Sequence, residues 1–113
     1  MFDIQDIATL DAWLDQFVSA EYKRQPLAQD WARISKISEE LGEVTDAFIG
    51  VTAQNPRKGE YGSMNDVQDE LVDVAITALL ALHHFTKSEA VTTRVIDDRM
   101  HYRMACMGVP KCK

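Results

Sequence analysis

Residues 64–85 have helical periodicity with an unusually wide apolar surface. One side of the predicted helix carries Val67, Leu71, Val74, Ala75, Ala78 and Leu82, and another carries Val72, Ile76 and Leu79. A helix that is apolar around most of its circumference is normally covered on most sides. This segment is therefore predicted to be a central helix that packs against several others.

Three further segments repeat apolar residues at steps of three and four. Helices are predicted at about residues 6–19, 31–53, 64–85 and 89–104, joined by a loop that contains Asn55, Pro56 and two glycines. Pro26 disfavours helix at the preceding residue, so Asp30 is the expected N-cap of the second helix. No segment alternates with a period of two. The predicted fold class is all-α, a four-helix bundle.

The chain length of 113 residues suits one domain, 1–113, with a C-terminal tail at 105–113. A chain this short buries a limited share of its surface, and the wide apolar side of the third predicted helix needs more cover than its neighbours supply. We therefore expect a homodimer or a homotetramer.

The net charge of −6 argues against nucleic-acid polymers and anionic membranes as partners, because both require a basic surface. The N-terminal residues lack the positive region and apolar run of a signal peptide. Cys106 and Cys112 have no recognisable zinc or disulfide spacing, so they are expected to be free thiols. These features together predict a cytoplasmic protein.

Two segments place acidic residues one helical turn apart beside an apolar stripe. Glu40 and Glu43 lie on the second predicted helix, and Glu70 and Asp73 lie on the third. If these helices pair antiparallel, the four carboxylates meet, and without a cation they would repel one another. Clusters of carboxylate oxygens suit Mg²⁺, with Mn²⁺ as a substitute, and Mg²⁺ commonly recruits substrate phosphates. Spacing alone leaves a solvated acidic surface as the alternative.

The acidic pattern resembles that of the MazG-like all-α nucleotide pyrophosphohydrolases. The family pattern E-E-x-x-E, a spacer and E-x-x-D is matched by Glu39, Glu40 and Glu43 and then by Glu70 and Asp73. The resemblance covers roughly residues 31–103. It implies hydrolysis of a nucleoside triphosphate, often a deoxynucleotide, to a monophosphate and pyrophosphate.

The resemblance also implies roles for these acids. Glu40, Glu43, Glu70 and Asp73 would bind Mg²⁺, the same four that the helical positions select. Glu39 matches the leading glutamate of the pattern, and lies about 100° from Glu40 on the helix. It either orients water or is a solvated helix residue.

Several other residues are candidates for substrate binding. Arg57 and Lys58, in the loop, either neutralise phosphate or keep the loop soluble. Lys36 either reaches phosphate or pairs with Glu40. Trp31 either stacks on a base or, as we favour, packs on a neighbouring helix.

The last predicted helix contributes two more candidates through the resemblance. Arg94 and Arg99 match the basic residues that contact phosphate and sugar in the family. Asp98 stands where the family usually has asparagine, and it lacks the amide donor.

Two alternatives to a nucleoside triphosphate pyrophosphohydrolase remain. One is a phosphoribosyl-ATP pyrophosphohydrolase, which shares the acidic pattern. The other is a non-catalytic helical module that binds a divalent ion, a nucleotide or a basic partner.

Overall fold

The computed structural model describes residues 1–110, and within that range helices are the only regular secondary structure, with no strand. The five helices are α1 (Ile4–Asp15), α2 (Ala20–Lys23), α3 (Pro26–Thr52), α4 (Met64–Thr86) and α5 (Glu89–Cys106). The all-α prediction is confirmed. No helix among residues 1–110 combines the length and apolar character needed to cross a bilayer.

The four predicted helices are present, and their boundaries differ most from the prediction at the end of the first helix and the start of the second. α1 ends at Asp15, and a one-turn helix, α2, follows, in which the Tyr22 N–H donates to the Ser19 hydroxyl. α3 begins at Pro26, because proline fits the first helical position, where its missing N–H costs nothing. The prediction of Asp30 as an N-cap was therefore wrong, since Asp30 lies inside α3.

Helices α3 and α4 form a long antiparallel hairpin that dominates the packing. Along α3, the residues turned toward α4 recur at Arg33, Ile37, Glu40, Val44, Ala47 and Val51, and all six are half-buried. Steps of three and four keep one side of a helix against its neighbour. The hairpin therefore sets which residues of the two long helices meet.

Three hydrogen-bonding contacts hold the ends of the hairpin. At one end, the Tyr61 N–H donates to the Gly50 carbonyl at 2.9 Å, and the Tyr61 hydroxyl donates to Asp46 Oδ1 at 3.1 Å. At the other end, His84 Nε2 lies 2.7 Å from Asp30 Oδ1. These contacts fix the register of α3 against α4 at both ends of the hairpin.

The small core forms where α1 crosses α4. Ile7, Val67, Leu80 and Ala81 are its buried apolar residues. Helix α5 contacts α4 and α1 and, among the described residues, does not contact α3. His83 is buried and links α4 to α5, since its Nδ1 lies 3.1 Å from the Thr92 hydroxyl.

The chain is more extended than a compact domain of its size. Its radius of gyration is 17.5 Å, whereas a compact chain of this length has about 13 Å. Large apolar side chains remain exposed on every helix longer than one turn. Cys106 is an exposed free thiol, and Cys112 lies outside the described residues.

Candidate metal centre

Three glutamates converge in the middle of the α3–α4 hairpin. Glu40 and Glu43 come from α3 and Glu70 from α4, and each offers a carboxylate oxygen within 4.8 Å of the other two. Two oxygens on opposite sides of one Mg²⁺ lie about 4.2 Å apart, given metal–oxygen distances of about 2.1 Å. The three side chains are therefore close enough to bind a single hard cation after a small adjustment.

Glu70 carries the clearest sign of a missing partner. Its Oε2 atom is buried and has no hydrogen-bond partner, although buried carboxylate oxygens are normally paired. Loss of water around it and the adjacent Glu43 carboxylate, with further repulsion from Asp73 and Glu40, raise the pKa of Glu70 above its ordinary value. A divalent cation would supply the missing partner and remove the repulsion.

Asp73 lies near the cluster but outside the group of three. It is exposed, one turn beyond Glu70 on α4, and its charge contributes to the raised pKa of Glu70. Metal binding by Asp73 stays a prediction, and of the four acids selected from the sequence the structure brings three together.

A single lysine stands at the edge of the glutamates. Lys36 Nζ lies 2.9 Å from Glu39 Oε1 and 3.4 Å from Glu40 Oε1. The hydrogen bond to Glu39, reinforced by Glu40, raises the pKa of Lys36. The predicted pairing of Lys36 with Glu40 is thus present. The Glu39 side chain is 61% exposed and points to solvent rather than into the cluster.

The other candidate substrate residues do not contact the glutamates. Trp31 is 66% exposed and, nine residues before Glu40, projects from the opposite side of α3. The favoured packing of Trp31 on a neighbouring helix is therefore not found within one chain. Arg57 and Lys58 are exposed in the loop, where the Lys58 ammonium lies 5.7 Å from the centre of the Tyr61 ring.

The two arginines of α5 also lie apart from the glutamates of their own chain. Arg94 and Arg99 are exposed, and the Arg99 guanidinium stacks 4.8 Å from the centre of the Tyr102 ring. Because α5 does not contact α3 within residues 1–110, these side chains have no direct contact with Glu40 or Glu43.

Sequence reasoning missed two interactions that position the cluster. The Asp30–His84 pair holds one end of the hairpin, and the contact of Gly50 with Tyr61 holds the other. A glycine inside a helix is a signal for close packing. Nothing local in the sequence indicates that Tyr61 is the residue that approaches it.

The raised pKa of Glu70 predicts a pH-dependent stability of the metal-free protein. An acid with a higher pKa in the folded chain than in the unfolded chain disfavours folding once it ionises. The contribution of Glu70 to the free energy of unfolding should therefore fall as the pH rises above about 4.3, the ordinary glutamate pKa, and through the raised value. At pH 7 in chelator, Glu70→Gln should melt at a higher temperature than the wild type, and the difference should shrink toward pH 4.

Thermal melts followed by circular dichroism between pH 4 and pH 7.5 measure this difference. Asp69→Asn is the matched control, because Asp69 is the exposed acid beside Glu70 and is not one of the three converging residues. A wild type that melts above Glu70→Gln at pH 7 without metal would contradict the prediction.

Comparison of this chain with models of known protein families, with curated proteins and with solved structures finds no match.

Proposed function

We propose that this protein is a Mg²⁺-dependent nucleotide pyrophosphohydrolase, which cleaves a nucleoside or deoxynucleoside triphosphate to the monophosphate and pyrophosphate. The observation that carries the proposal is the convergence of Glu40, Glu43 and Glu70, with the buried Glu70 Oε2 left without a partner. Without a bound cation, bringing these carboxylates together and burying one oxygen costs free energy. The resemblance of the acidic pattern to the MazG-like family supplies the reaction class.

The residues fit the metal that the family resemblance implies. Glu40, Glu43 and Glu70 would hold it, with Asp73 one turn away as the fourth acid. Bound Mg²⁺ supplies a Lewis acid that neutralises phosphate charge and lowers the pKa of a coordinated water. Oxygen-only ligands favour Mg²⁺ or Mn²⁺ over zinc.

The chain's own residues would then orient the substrate and a water molecule. Lys36 lies beside Glu40 and stays protonated, so it is placed to pair with a phosphate oxygen at the edge of the site. Any glutamate oxygen left free of the cation is placed to accept a proton from the attacking water. Glu39, held by Lys36, would act indirectly by fixing the position of that ammonium.

Arg57 and Lys58 would contact the substrate farther from the reacting phosphorus. The α3 helix extends nine residues beyond Glu43, about 14 Å, before the loop begins. The charges of Arg57 and Lys58 would therefore act on the part of a nucleotide farthest from the glutamates, or would attract its phosphates at long range. Arg94 and Arg99 would act only if α5 of another copy approached the cluster.

Two observations favour a non-catalytic module as the second candidate. Asp98 stands where the MazG-like family usually has asparagine, so the side-chain amide donor is absent. In addition, α5 does not contact α3 within the described chain. Such a module would bind Mg²⁺ or nucleotide without forming product.

A nucleotide panel with Mg²⁺, resolving pyrophosphate from orthophosphate, tests the proposal. We expect pyrophosphate and a monophosphate from at least one nucleoside triphosphate, and no reaction in chelator. The panel includes phosphoribosyl-ATP, which would identify the alternative enzyme if it alone is cleaved. Stabilisation by Mg²⁺ with no product from any substrate would favour the non-catalytic module.

A further inference from the structure

The helices α1, α4 and α5 border a cavity that the glutamate cluster does not use. Its volume is about 490 Å³, which lies within the range of about 300–1,000 Å³ found for small-molecule sites. Its floor is apolar and half-buried, with Ile4 from α1, Leu79 from α4 and Ile96 from α5. Leu79 follows Glu70 by about 14 Å along α4. We call this space the α5 cavity, and it is separate from the candidate metal centre.

The rim of the α5 cavity combines apolar and acidic side chains. Phe2 and Met100 extend its apolar surface outward, since they are 61% and 57% exposed. The polar side chains of the rim are those of Asp3, Thr93 and Asp97, and all three residues are exposed. Among residues 1–110, no lysine, arginine or histidine lines this cavity. A ligand would therefore meet two carboxylates and one hydroxyl around an apolar floor.

Both carboxylates are held at the rim and keep room for a ligand. Asp3 Oδ1 accepts the Gln5 N–H at 2.7 Å, and the Asp3 N–H donates to Asp6, so the start of α1 fixes this side chain. Asp97 Oδ2 lies 3.5 Å from His101 Nδ1, and the Asp97 side chain is 65% exposed. A carboxylate has about four acceptor positions. Each of the two can thus accept further hydrogen bonds from a bound molecule.

The neighbouring cavity on α5 carries the opposite charge. The apolar surface continues through Ile96 and Met100 into a space of about 310 Å³ that Arg99 and Arg103 border. A positive group placed over Ile96 would be repelled by these arginines and attracted by the two carboxylates. The charges along α5 therefore favour one orientation of a ligand, with its positive end at the acidic rim.

We propose that the α5 cavity binds a small amphiphilic cation, an apolar body that ends in a protonated amine. The apolar body would cover Leu79 and Ile96, and the ammonium would pair with the carboxylates of Asp3 and Asp97. An uncharged apolar occupant would remove water from these carboxylates without supplying a counter-charge, which costs free energy. The net charge of −6 also raises the concentration of cations around the chain.

Three probes with similar apolar bodies and different charges test the proposal. They are phenethylamine, phenylethanol and phenylpropionate, titrated by calorimetry into the full chain at neutral pH with Mg²⁺ present. Phenethylamine should bind at least about tenfold more tightly than phenylethanol, because charge-assisted hydrogen bonds are roughly twice as strong as neutral ones. Phenylpropionate should bind most weakly, since its carboxylate meets the acidic rim.

Adjacent residues of α5 provide a matched pair of variants. Asp97→Asn should lower the affinity for phenethylamine about tenfold, the effect of one charge-assisted hydrogen bond, and should leave the affinity for phenylethanol unchanged. Asp98→Asn removes the same charge from the next residue, which does not line the cavity, and should change neither affinity. Thr93→Trp fills the cavity from its rim and should abolish the binding of both probes while circular dichroism still reports folded helices.

The cavity uses none of the three glutamates, so its test is independent of the proposed function. Glu70→Gln should bind phenethylamine as the wild type does, and loss of binding in this variant would overturn the proposal by placing the amine at the glutamates. Equal affinities for the three probes would overturn it, as would equal losses from Asp97→Asn and Asp98→Asn. A wild type that binds no phenethylamine at millimolar concentration would overturn it too, including the case in which a second copy of the chain covers the cavity.

Discussion

Glu70→Gln is expected to lower the kcat/KM for Mg²⁺-dependent pyrophosphate release by a factor on the order of 10³. The amide keeps the shape of the side chain but removes one negative charge and one strong oxygen ligand from the group of three. Residues that merely orient metal ligands cost about 10–100-fold when replaced, so a direct ligand should cost more. A factor of 10³ corresponds to about 4 kcal/mol of transition-state stabilisation.

Stability measurements separate this loss of activity from unfolding. Without metal, Glu70→Gln relieves the repulsion from Glu43 and should be at least as stable as the wild type. With Mg²⁺, the wild-type melting temperature should rise, because a ligand that binds only the folded state stabilises it. The variant should show little or no rise. Loss of activity, loss of the Mg²⁺ effect and unchanged or higher metal-free stability together identify a metal ligand.

Two further substitutions complete this experiment. Asp69→Asn removes the same charge from the neighbouring exposed position and should retain activity and the Mg²⁺ effect. Asp73→Asn should abolish turnover while the helices remain folded, if Asp73 is the fourth ligand. Undiminished Mg²⁺-dependent pyrophosphate release by Glu70→Gln would remove the basis for the proposed function.

The sequence predicts the helices and the side of each helix that carries the acids, because both follow from periodicity within one helix. The predicted limits of α4 differ from the observed ones by one residue, at the C-terminal end. The positions of Glu40, Glu43 and Glu70 on their helices predicted that these three side chains would face one another, and in the structure they lie close together. Only the antiparallel pairing had to be assumed, and the short loop between α3 and α4 makes it the simplest connection.

The features that were missed depend on contacts between distant residues. Asp30 has the chemistry of an N-cap, but its partner is His84, 54 residues later. Periodicity indicates which side of α4 is apolar and not what covers it, so the exposure of Leu71 and Ala78 in a single chain appears only in the structure. Likewise, no local signal indicates that α5 stays away from α3.

Gly50→Ala is expected to destabilise the protein by about 1–3 kcal/mol, the usual cost of an added methyl group in a tightly packed site. A Cβ at this position would lie 2.6 Å from the Tyr61 carbonyl oxygen and would overlap the Tyr61 ring. The same residues form the hydrogen bond that closes the loop, so the backbone would have to shift. A fall in melting temperature of about 5–15 °C should follow.

Gly42→Ala is the matched control, because it adds the same methyl group to the same helix. Nothing lies within 4 Å of a Cβ at Gly42, so the better helix propensity of alanine should stabilise the protein by up to about 1 kcal/mol. Opposite signs for the two substitutions would show that contact, and not helix propensity, determines the effect at Gly50. A Gly50→Ala protein that melts at or above the wild type would contradict this packing.

A double substitution shows which part of Tyr61 opposes the methyl group. Tyr61→Ala removes the ring but leaves the carbonyl oxygen 2.6 Å from the new Cβ, so Gly50→Ala should cost less in that background but should still destabilise. The two effects are therefore non-additive. Because the Gly50–Tyr61 contact lies just before the Ser63 cap of α4, and Glu70 follows about 9 Å along the helix from Met64, Gly50→Ala should also reduce the stabilisation by Mg²⁺. A Mg²⁺ effect unchanged in this variant would mean that the glutamates keep their positions without the Gly50–Tyr61 contact, and that the pairing along the hairpin alone holds them.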